Sequence, residues 1–187
     1  NAQAAEYTGA IKAAPEQTRK LLKEIEIGQQ KQPKQKFEDL NRIPTEELEQ
    51  RLVLEKGKIS NLDEQTQMKE ADLVLQNSRP RLIREEIVAA QQDIDEAQKK
   101  LDFIDAGPES KLEMEANQFQ LKTLIDSRTA ELKMLEAEAA SNPARIELLK
   151  VELRLLEVRK NELAPLVAAI ENLLADRRQQ EAKEIQD

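Results

Sequence analysis

The sequence contains no cysteine and no histidine. Without cysteine, the chain forms no disulfide and no thiolate-ligated metal site. Without histidine, it lacks the commonest metal ligand and the commonest general base of enzymes. Catalysis by Ser/His/Asp or Cys/His groups is therefore excluded. The compartment is left open, because cytosolic and periplasmic proteins alike can dispense with cysteine.

Aromatic residues and glycine are also scarce. Phe, Tyr and Trp make up 2% of the chain and Trp is absent, so we expect no large compact core. The four glycines are scattered at positions 9, 28, 57 and 107, which excludes a glycine-rich phosphate loop. Charged residues are abundant, at 35%, and Ala, Glu, Lys, Leu, Arg and Gln dominate. This composition is typical of long helices that pack through narrow apolar seams.

The charge balance indicates no strongly charged partner. The formal net charge is -8, from 29 Lys and Arg against 37 Asp and Glu. That balance favours neither nucleic acid nor an anionic membrane surface. No run of about 18 apolar residues is present, so we predict no membrane span within the chain. The opening "NAQAAEYTGA" lacks the basic and apolar regions of a secretion signal, and we expect a mature or excised segment.

The seven prolines are the first candidates for helix boundaries, because an interior proline removes a hydrogen bond and clashes with the preceding turn. They divide the chain into five predicted helical segments, at about 2–28, 46–77, 80–105, 109–140 and 143–184. The connections are short, which favours antiparallel neighbours. The predicted fold is all-α: a single elongated antiparallel helical bundle or coiled coil over residues 1–187.

Several residues suit the predicted helix ends. Pro15 suits a first helical turn, and the polar stretch "GQQKQPKQK" that begins at Gly28 predicts a loop. Thr45 is the expected N-cap of the second segment, with two glutamates in its first turn. Gly107 is the expected stop of the third segment, and Pro108 the expected restart of the fourth.

The tripeptide Ser-x-Pro occurs twice, at 78–80 in "NSRPRL" and at 141–143 in "ASNPAR". In each copy a serine hydroxyl close to a proline is suited to close one helix and begin the next. The alternative is a bend within one continuous helix, since proline in a first turn and proline at a kink look alike in sequence. Pro165 lies inside the apolar seam of the last segment and is expected either to kink or to divide it.

Apolar residues recur at alternating steps of three and four, which is the a/d seam of a coiled coil. In the third segment the seam is Ile83, Ile87, Ala90, Ile94, Ala97, Leu101 and Ile104. In the fourth it is Leu121, Ile125, Leu132, Leu135 and Ala139. In the fifth it is Ile146, Leu149, Leu153, Leu156, Leu163, Val167, Ile170 and Leu174. A second apolar set widens the last face and predicts contact with more than one helix: Leu148, Leu155, Leu166 and Leu173.

The charged residues form no recognisable catalytic or metal site. Glu85 and Glu86 are adjacent, but catalytic carboxylates need environments that separate their pKa values, and these two lie among Arg and Lys on a face expected to be solvated. The stretch "DFID" at 102–105 lacks the glycine turn of a calcium loop. Arg177 and Arg178 fit the C-terminal end of a helix better than a phosphate.

Two cations interrupt the apolar seams. Arg128 and Lys160 are expected to lie along the seam with their charged ends in water, or to mark the register of the helices. We therefore predict no catalytic, cofactor-binding or metal-binding residue and no cofactor. What remains is a structural or interaction role carried by helical faces.

Three stretches resemble one known family: "IPTEELEQRLVLEKGKISNLDEQ", "RPRLIREEIVAAQQDIDEAQKKL" and "TAELKMLEAEAASNPARIELLKVELRLLEVRKNELAPLVAAIENLLADRRQQEA". From about 7 to 182 the chain is similar to the N-terminal periplasmic domain of the large MscK (KefA)-like members of the small-conductance mechanosensitive channel family, a helical domain labelled "porin". The most specific points are "LEQRL" at 48–52, Arg79-Pro80, the turn "ASNPAR" at 140–145 and "RQQEA" at 178–182. Pro165 departs from the pattern.

The resemblance implies a fragment of a bacterial inner-membrane channel, exported to the periplasm, with membrane-spanning helices and a pore downstream. It implies a heptameric parent that releases solutes during hypoosmotic shock, in which this segment is non-catalytic and structural or gating-modulating. The isolated segment is expected to be a monomer, because short breaks favour a chain folded back on itself. The alternative hypothesis is a soluble coiled-coil adaptor or scaffold that acts through helix–helix pairing.

Overall fold

The computed structural model describes residues 2–30, 37–104 and 110–184. They form three α-helices, α1 (Ala2–Gln30), α2 (Thr45–Phe103) and α3 (Lys111–Glu184), with a 3-10 helix at Phe37–Arg42. No strand occurs among these described residues. The all-α class is confirmed, whereas the division into five helical segments is wrong.

The predicted helix boundaries that the structure lacks are the ones placed at prolines. Pro15 lies inside α1, Pro80 inside α2, and Pro143 and Pro165 inside α3. The expectation that each Ser-x-Pro closes one helix and begins another is therefore wrong, and so is the turn expected at 140–145. The alternative of a continuous helix is the one observed. Pro165 does not divide the last helix.

Two of the predicted helix ends also differ from the observed ones. Gly28 does not begin a loop, because α1 continues to Gln30. Thr45 is the first residue of α2 and not its cap: the Leu48 amide donates to the Pro44 carbonyl at 3.0 Å, so Pro44 holds the N-cap position. The two glutamates expected in the first turn of α2 are there.

The start of α3 is set by a capping box that the proline-based prediction missed. The Ser110 amide donates to Glu113 Oε2 at 2.9 Å, and the Glu113 amide donates to Ser110 Oγ at 3.4 Å. The hydrogen bonds from Ser110 lower the pKa of Glu113. Gly107 and Pro108, the expected stop and restart, lie outside the described residues.

The helices contribute to two compact units. Unit 1 comprises Asn1–Glu16 and Val74–Leu148, and unit 2 comprises Gln17–Leu73 and Leu149–Asp187. Each unit therefore contains parts of α1, α2 and α3. The single elongated domain stays a prediction.

In unit 2, α3 packs on α1 through one apolar cluster and on the start of α2 through another. The first cluster is Ile25, Val151, Leu155 and Val158. The second is Leu40, Leu48, Ile170 and Leu174, with Leu166 and Leu173 packed against it. The widened apolar face predicted for this part of α3 does contact more than one helical element. Val151 and Val158, which the predicted seams omit, are among its buried residues.

The direction of the helices in unit 2 follows from their ion pairs. Glu49 pairs with Arg178 and Asp63 with Lys160, so α2 and α3 are antiparallel. Glu24 pairs with Arg159, and Gly28, four residues further along α1, lies against Glu162, three residues further along α3. The α1 helix is therefore parallel to α3 in this unit.

In unit 1, α2 and α3 are again antiparallel, and the predicted seams supply most of the buried apolar residues. These are Ile83, Ala90 and Ala97 of α2 and Leu135 of α3. The prediction that Ala139 belongs to the buried seam is wrong, because Ala139 is exposed and Glu138 is buried in its place. From α1, Ala14 is buried, and the Tyr7 ring lies under the Arg145 guanidinium at 5.4 Å from the ring centroid, a cation–π contact.

Candidate functional site

The apolar seam of α3 becomes polar in unit 1. After Leu135, the buried residues are Glu138, Ser141 and Asn142, which are 4%, 0% and 2% exposed. Buried polar groups are costly unless each finds a hydrogen-bond partner. The partners of Glu138 and Asn142 lie on α2 around the other Ser-x-Pro motif, so the two copies of the motif face each other across the helix pair. We call this set the polar junction: Gln76, Ser78, Arg79, Glu86, Glu138, Ser141 and Asn142.

One guanidinium holds two carboxylates in the polar junction. Arg79 Nε and Nη2 donate to Glu138 Oε1 and Oε2 at 2.7 and 3.0 Å. Arg79 Nη1 and Nη2 donate to Glu86 Oε1 and Oε2 at 2.8 and 2.9 Å. Both carboxylates are bound bidentately, a geometry that the planar fork of arginine allows and a lysine does not.

The two carboxylates differ in what they contribute. The Glu138 side chain is 6% exposed and lies on the facing helix, whereas the Glu86 side chain is 42% exposed and lies on the same helix as Arg79. Solvent-exposed ion pairs contribute about 0–1 kcal/mol, but breaking a buried pair costs about 3–5 kcal/mol because a charge is left uncompensated. The Arg79–Glu138 pair therefore dominates.

The same hydrogen bonds perturb both sides of the network. The bonds from Arg79 lower the pKa of Glu86. The hydrogen bonds from Arg79 to Glu138, and to a smaller extent those to Glu86, raise the pKa of Arg79 further above its usual range. The guanidinium therefore stays protonated and cannot act as a general acid. It holds the two helices together by electrostatic attraction, without acid–base chemistry.

Asn142 binds the backbone of α2 at the point where Pro80 interrupts its hydrogen bonding. Proline has no N–H, so the carbonyl four residues earlier, that of Gln76, receives no helical donor. Asn142 Nδ2 donates to this carbonyl at 3.0 Å, and it also lies 3.2 Å from Gln76 Oε1. A side chain of α3 thus replaces the donor that α2 lacks, which is why Pro80 is accommodated inside a continuous helix.

The serines of the two motifs do not cap helices. Ser141 Oγ donates to the Glu138 carbonyl at 2.9 Å, and Ser78 Oγ donates to the Leu75 carbonyl at 2.9 Å. In both copies the acceptor is three residues earlier in the same helix. Mid-helix serine commonly bonds backward in this way, which satisfies the buried Ser141 hydroxyl without a partner helix, whereas Ser78 is exposed.

The carboxylates that the sequence presents side by side are not brought together. Glu86 binds Arg79, while Glu85 lies 3.5 Å from Arg81 on the exposed face of α2. In the "DFID" stretch, Asp102 accepts from Gln98, and Asp105 lies outside the described residues. Among the residues that the structure describes, no group of three or more acidic side chains is placed to hold a metal ion.

The basic residues are used in contacts between elements. Arg177 donates to the carbonyls of Ile43 and Asn41 at 2.8 and 2.9 Å, where the 3-10 helix ends, and to Thr45 Oγ1 at 3.2 Å. It complements a helix C-terminus, as predicted, but that of another element. Arg178 pairs with Glu49 of α2 at 2.7 Å.

The two cations in the seams both reach across to α2. Arg128 lies 2.9 Å from Asp93 and 2.6 Å from Glu131, and Lys160 lies 2.5 Å from Asp63. Each one joins α3 to a single place on α2 within its own unit. Both side chains are more than a third exposed, so their charged ends reach water, and a role in marking the register of the helices stays a prediction.

The residues and contacts define the chain first by class, as an all-α helical bundle of coiled-coil type whose buried polar groups join helix to helix. No helix in the described part of the chain has a stretch long and apolar enough to cross a membrane. A family model described as the mechanosensitive ion channel porin domain matches residues 1–187, and the chain belongs to this family, the porin-type domain of MscK (KefA)-like channels. No curated protein and no solved structure matches the chain.

Sequence reasoning identified both Ser-x-Pro motifs but missed what they do. The predicted seam includes Ala139 and not Glu138. The signal that could have found the junction is the residue between serine and proline, because Arg79 and Asn142 are both multiple hydrogen-bond donors. A donor next to a proline is suited to bind the carbonyl that a proline on the facing helix leaves free.

Proposed function

We propose that this chain is a non-catalytic periplasmic domain of a bacterial mechanosensitive channel and that it modulates gating mechanically during hypoosmotic shock. The observation that carries the proposal is the family match over the whole chain. The helices support it, since α2 and α3 are joined in each unit by directional polar contacts. Such contacts resist sliding of one helix past another, which suits a domain that transmits force.

The charged contacts of unit 2 supply orientation more than stability. Lys56 pairs with Glu171 at 2.6 Å and Lys69 with Glu152 at 2.7 Å. Solvent-accessible pairs of this kind contribute about 0–1 kcal/mol each. The apolar clusters stabilise the unit, and the ion pairs favour one arrangement of α2 on α3 over others.

The periplasmic location is tested by labelling introduced cysteines. The chain has no cysteine of its own, and a side chain added at Gly57 or Gly9 meets no atom within 4 Å. We expect Gly57→Cys, in a full-length channel otherwise free of cysteine, to react with a membrane-impermeant maleimide in intact spheroplasts. Ala14→Cys is the matched control, because Ala14 is buried. Labelling of Gly57→Cys only after lysis would place the domain in the cytoplasm and end the proposal.

The gating role is tested by deleting the domain from the full-length channel. Patch-clamp recording of spheroplasts should show a changed threshold tension with an unchanged conductance, since the pore is intact. Survival of cells after a hypoosmotic downshift should change in parallel. An unchanged threshold, with normal channel abundance in the membrane, would show that the domain does not act on gating.

The assembly also belongs to the proposal. We infer that the parent channel is a homo-oligomer, and the resemblance implies a heptamer. We also infer that the domain by itself is a monomer. Native mass spectrometry of the detergent-solubilised channel and of the 187-residue chain tests both halves. The family match favours the channel over the soluble coiled-coil adaptor. A parent gene with neither a secretion signal nor membrane spans would reverse that preference.

A further inference from the structure

The apolar seams of unit 1 do not by themselves select one axial position of α2 on α3. In α2 every seam position over 83–101 is isoleucine, leucine or alanine, at steps of three and four. Apolar burial is non-directional and depends on area. A shift of one heptad, seven residues, would therefore again place apolar residues of α2 against the seam of α3, which Arg128 interrupts.

The polar junction behaves differently on such a shift. The Gln76 carbonyl is a special acceptor, because it is the one that Pro80 leaves without a helical donor. Moving Asn142 by seven residues would place its amide against a carbonyl already bonded within α2. The Glu138 carboxylate would lose Arg79 while still buried. Both losses leave a buried polar group unpaired, which is the expensive case.

We propose that the paired Ser-x-Pro motifs are a register lock: Pro80 exposes one backbone carbonyl of α2, Asn142 of α3 recognises it, and the Arg79–Glu138 pair secures the same axial position. The lock selects the position of the helices more than it stabilises them. Buried ion pairs are often replaced by apolar residues without loss of stability, so the two effects are separable. The inference concerns the helix pair itself and is independent of the proposed role in a channel.

With the lock absent, the axial position of α2 on α3 in unit 1 depends on the apolar seams and on ion pairs that water reaches. One such pair joins Asp93 of α2 to Arg128 of α3, and both side chains are more than a third exposed. A pair so accessible to water contributes less to register than the buried Arg79–Glu138 pair.

The test measures the distance between spin labels on the two helices in the full 187-residue chain. Val88→Cys on α2 and Glu115→Cys on α3 introduce the labels at exposed positions of unit 1, and the chain has no other cysteine. The lock is removed by combining Arg79→Leu, Glu138→Leu and Asn142→Leu. The matched control replaces the exposed pair, Arg81→Leu with Glu85→Leu. A one-heptad shift changes the axial separation of the labels by about 10 Å, at about 1.5 Å per residue.

We expect one distance in the parent and in the control, and in the lock-free variant a second distance displaced by about 10 Å with undiminished helical circular dichroism. The ratio of shifted to native distances should rise about tenfold or more, which corresponds to the loss of one or two buried polar contacts. A lock-free variant that keeps the single parental distance overturns the proposal. If that variant loses its helicity, Arg79→Met, Glu138→Met and Asn142→Met remove the same contacts with side chains that favour helix, and they decide in the same way: a shifted fraction supports the lock and an unchanged distance overturns it.

Discussion

Asn142 of α3 donates its side-chain amide to the main-chain carbonyl of Gln76 in α2, at 3.0 Å. That carbonyl is the one that the proline at position 80 leaves without a donor in its own helix. The relationship explains why an interior proline coexists with an unbroken α2. It also means that the effect of substituting Asn142 of α3 on stability depends on whether position 80 of α2 is proline.

We predict that Pro80 and Asn142 are coupled in a double-mutant cycle. Asn142→Ala should lower the free energy of unfolding by about 1–3 kcal/mol, because it leaves a buried carbonyl without a donor. In the Pro80→Ala background the cost should be smaller, since the new amide at position 80 supplies the helical bond. Urea denaturation followed by circular dichroism measures all four proteins. Equal costs in the two backgrounds would contradict the assignment of the Gln76 carbonyl as the shared partner.

The ion pairs around Arg79 should differ in strength according to burial. Arg79→Met should cost about 3–5 kcal/mol, because it leaves the Glu138 carboxylate buried and uncompensated. Glu86→Gln should cost about 0–1 kcal/mol, since that carboxylate reaches solvent. The matched control is Arg81→Met, which removes the exposed pair between Arg81 and Glu85, two residues one helical turn apart. Comparable losses for Arg79→Met and Arg81→Met in urea would show that the junction is not buried in solution.

Stability should fall in acid partly through Glu86. Its pKa is lowered in the folded chain by the hydrogen bonds from Arg79, relative to about 4.3 in the unfolded chain. A carboxylate with a lowered folded pKa contributes stability that is fully present above the unfolded pKa and is lost as the pH falls through the folded pKa. Below about pH 4.3, the urea midpoint of Glu86→Gln should therefore decline less than that of the parent.

The control for the acid effect removes the cause of the shift. In an Arg79→Met background, adding Glu86→Gln should no longer alter how the midpoint changes between neutral and acid pH. Should the parent and Glu86→Gln titrate with the same slope, the Arg79–Glu86 bonds do not persist in solution.

The glycines of α1 and α2 should respond differently to alanine. Gly9→Ala and Gly57→Ala should each stabilise by about 0.5–1 kcal/mol, because both glycines lie inside helices with open space around them. At Gly28 a new Cβ would lie 3.1 Å from Val158 Cγ1 and 2.8 Å from Glu162 Oε1. The carboxylate can move aside, but Val158 is buried, so the gain should be cancelled.

A larger side chain extends the glycine comparison. Gly28→Val should destabilise by about 1–3 kcal/mol through overpacking against α3, whereas Gly57→Val should stay near neutral. Thermal melts of the five variants with the parent test both statements. A Gly28→Ala protein that is stabilised as much as Gly57→Ala would mean that α1 lies further from α3 than described.

The periodic parts of the sequence predicted their own structure. The steps of three and four at 83–101 predicted a buried face on α2, and Ile83, Ala90 and Ala97 are buried there. The widened apolar face of α3 predicted two neighbours, and Leu155 and Ile170 belong to two different clusters. Such patterns are reliable because a face repeated over many turns averages out exceptions at single residues.

Predictions that depended on a single residue were less successful. Gly28 has the sequence signature of a helix stop, yet it lies inside α1 where the helix approaches α3 closely. Thr45 has the signature of a cap, yet its hydroxyl accepts from Arg177. In both cases a contact with a residue more than a hundred positions away changes the role that local propensity assigns.

The sequence alone determined the all-α class, the apolar faces, the lack of cysteine and histidine chemistry and the membership of a channel-domain family. Local rules suffice for these, because helix periodicity and composition are properties of neighbouring residues. Only the tertiary structure decided that Pro80 and Pro143 lie inside continuous helices. The carbonyl that a helical proline frees must find another donor or water, and for Pro80 that donor is Asn142, 66 residues from Gln76 along the chain.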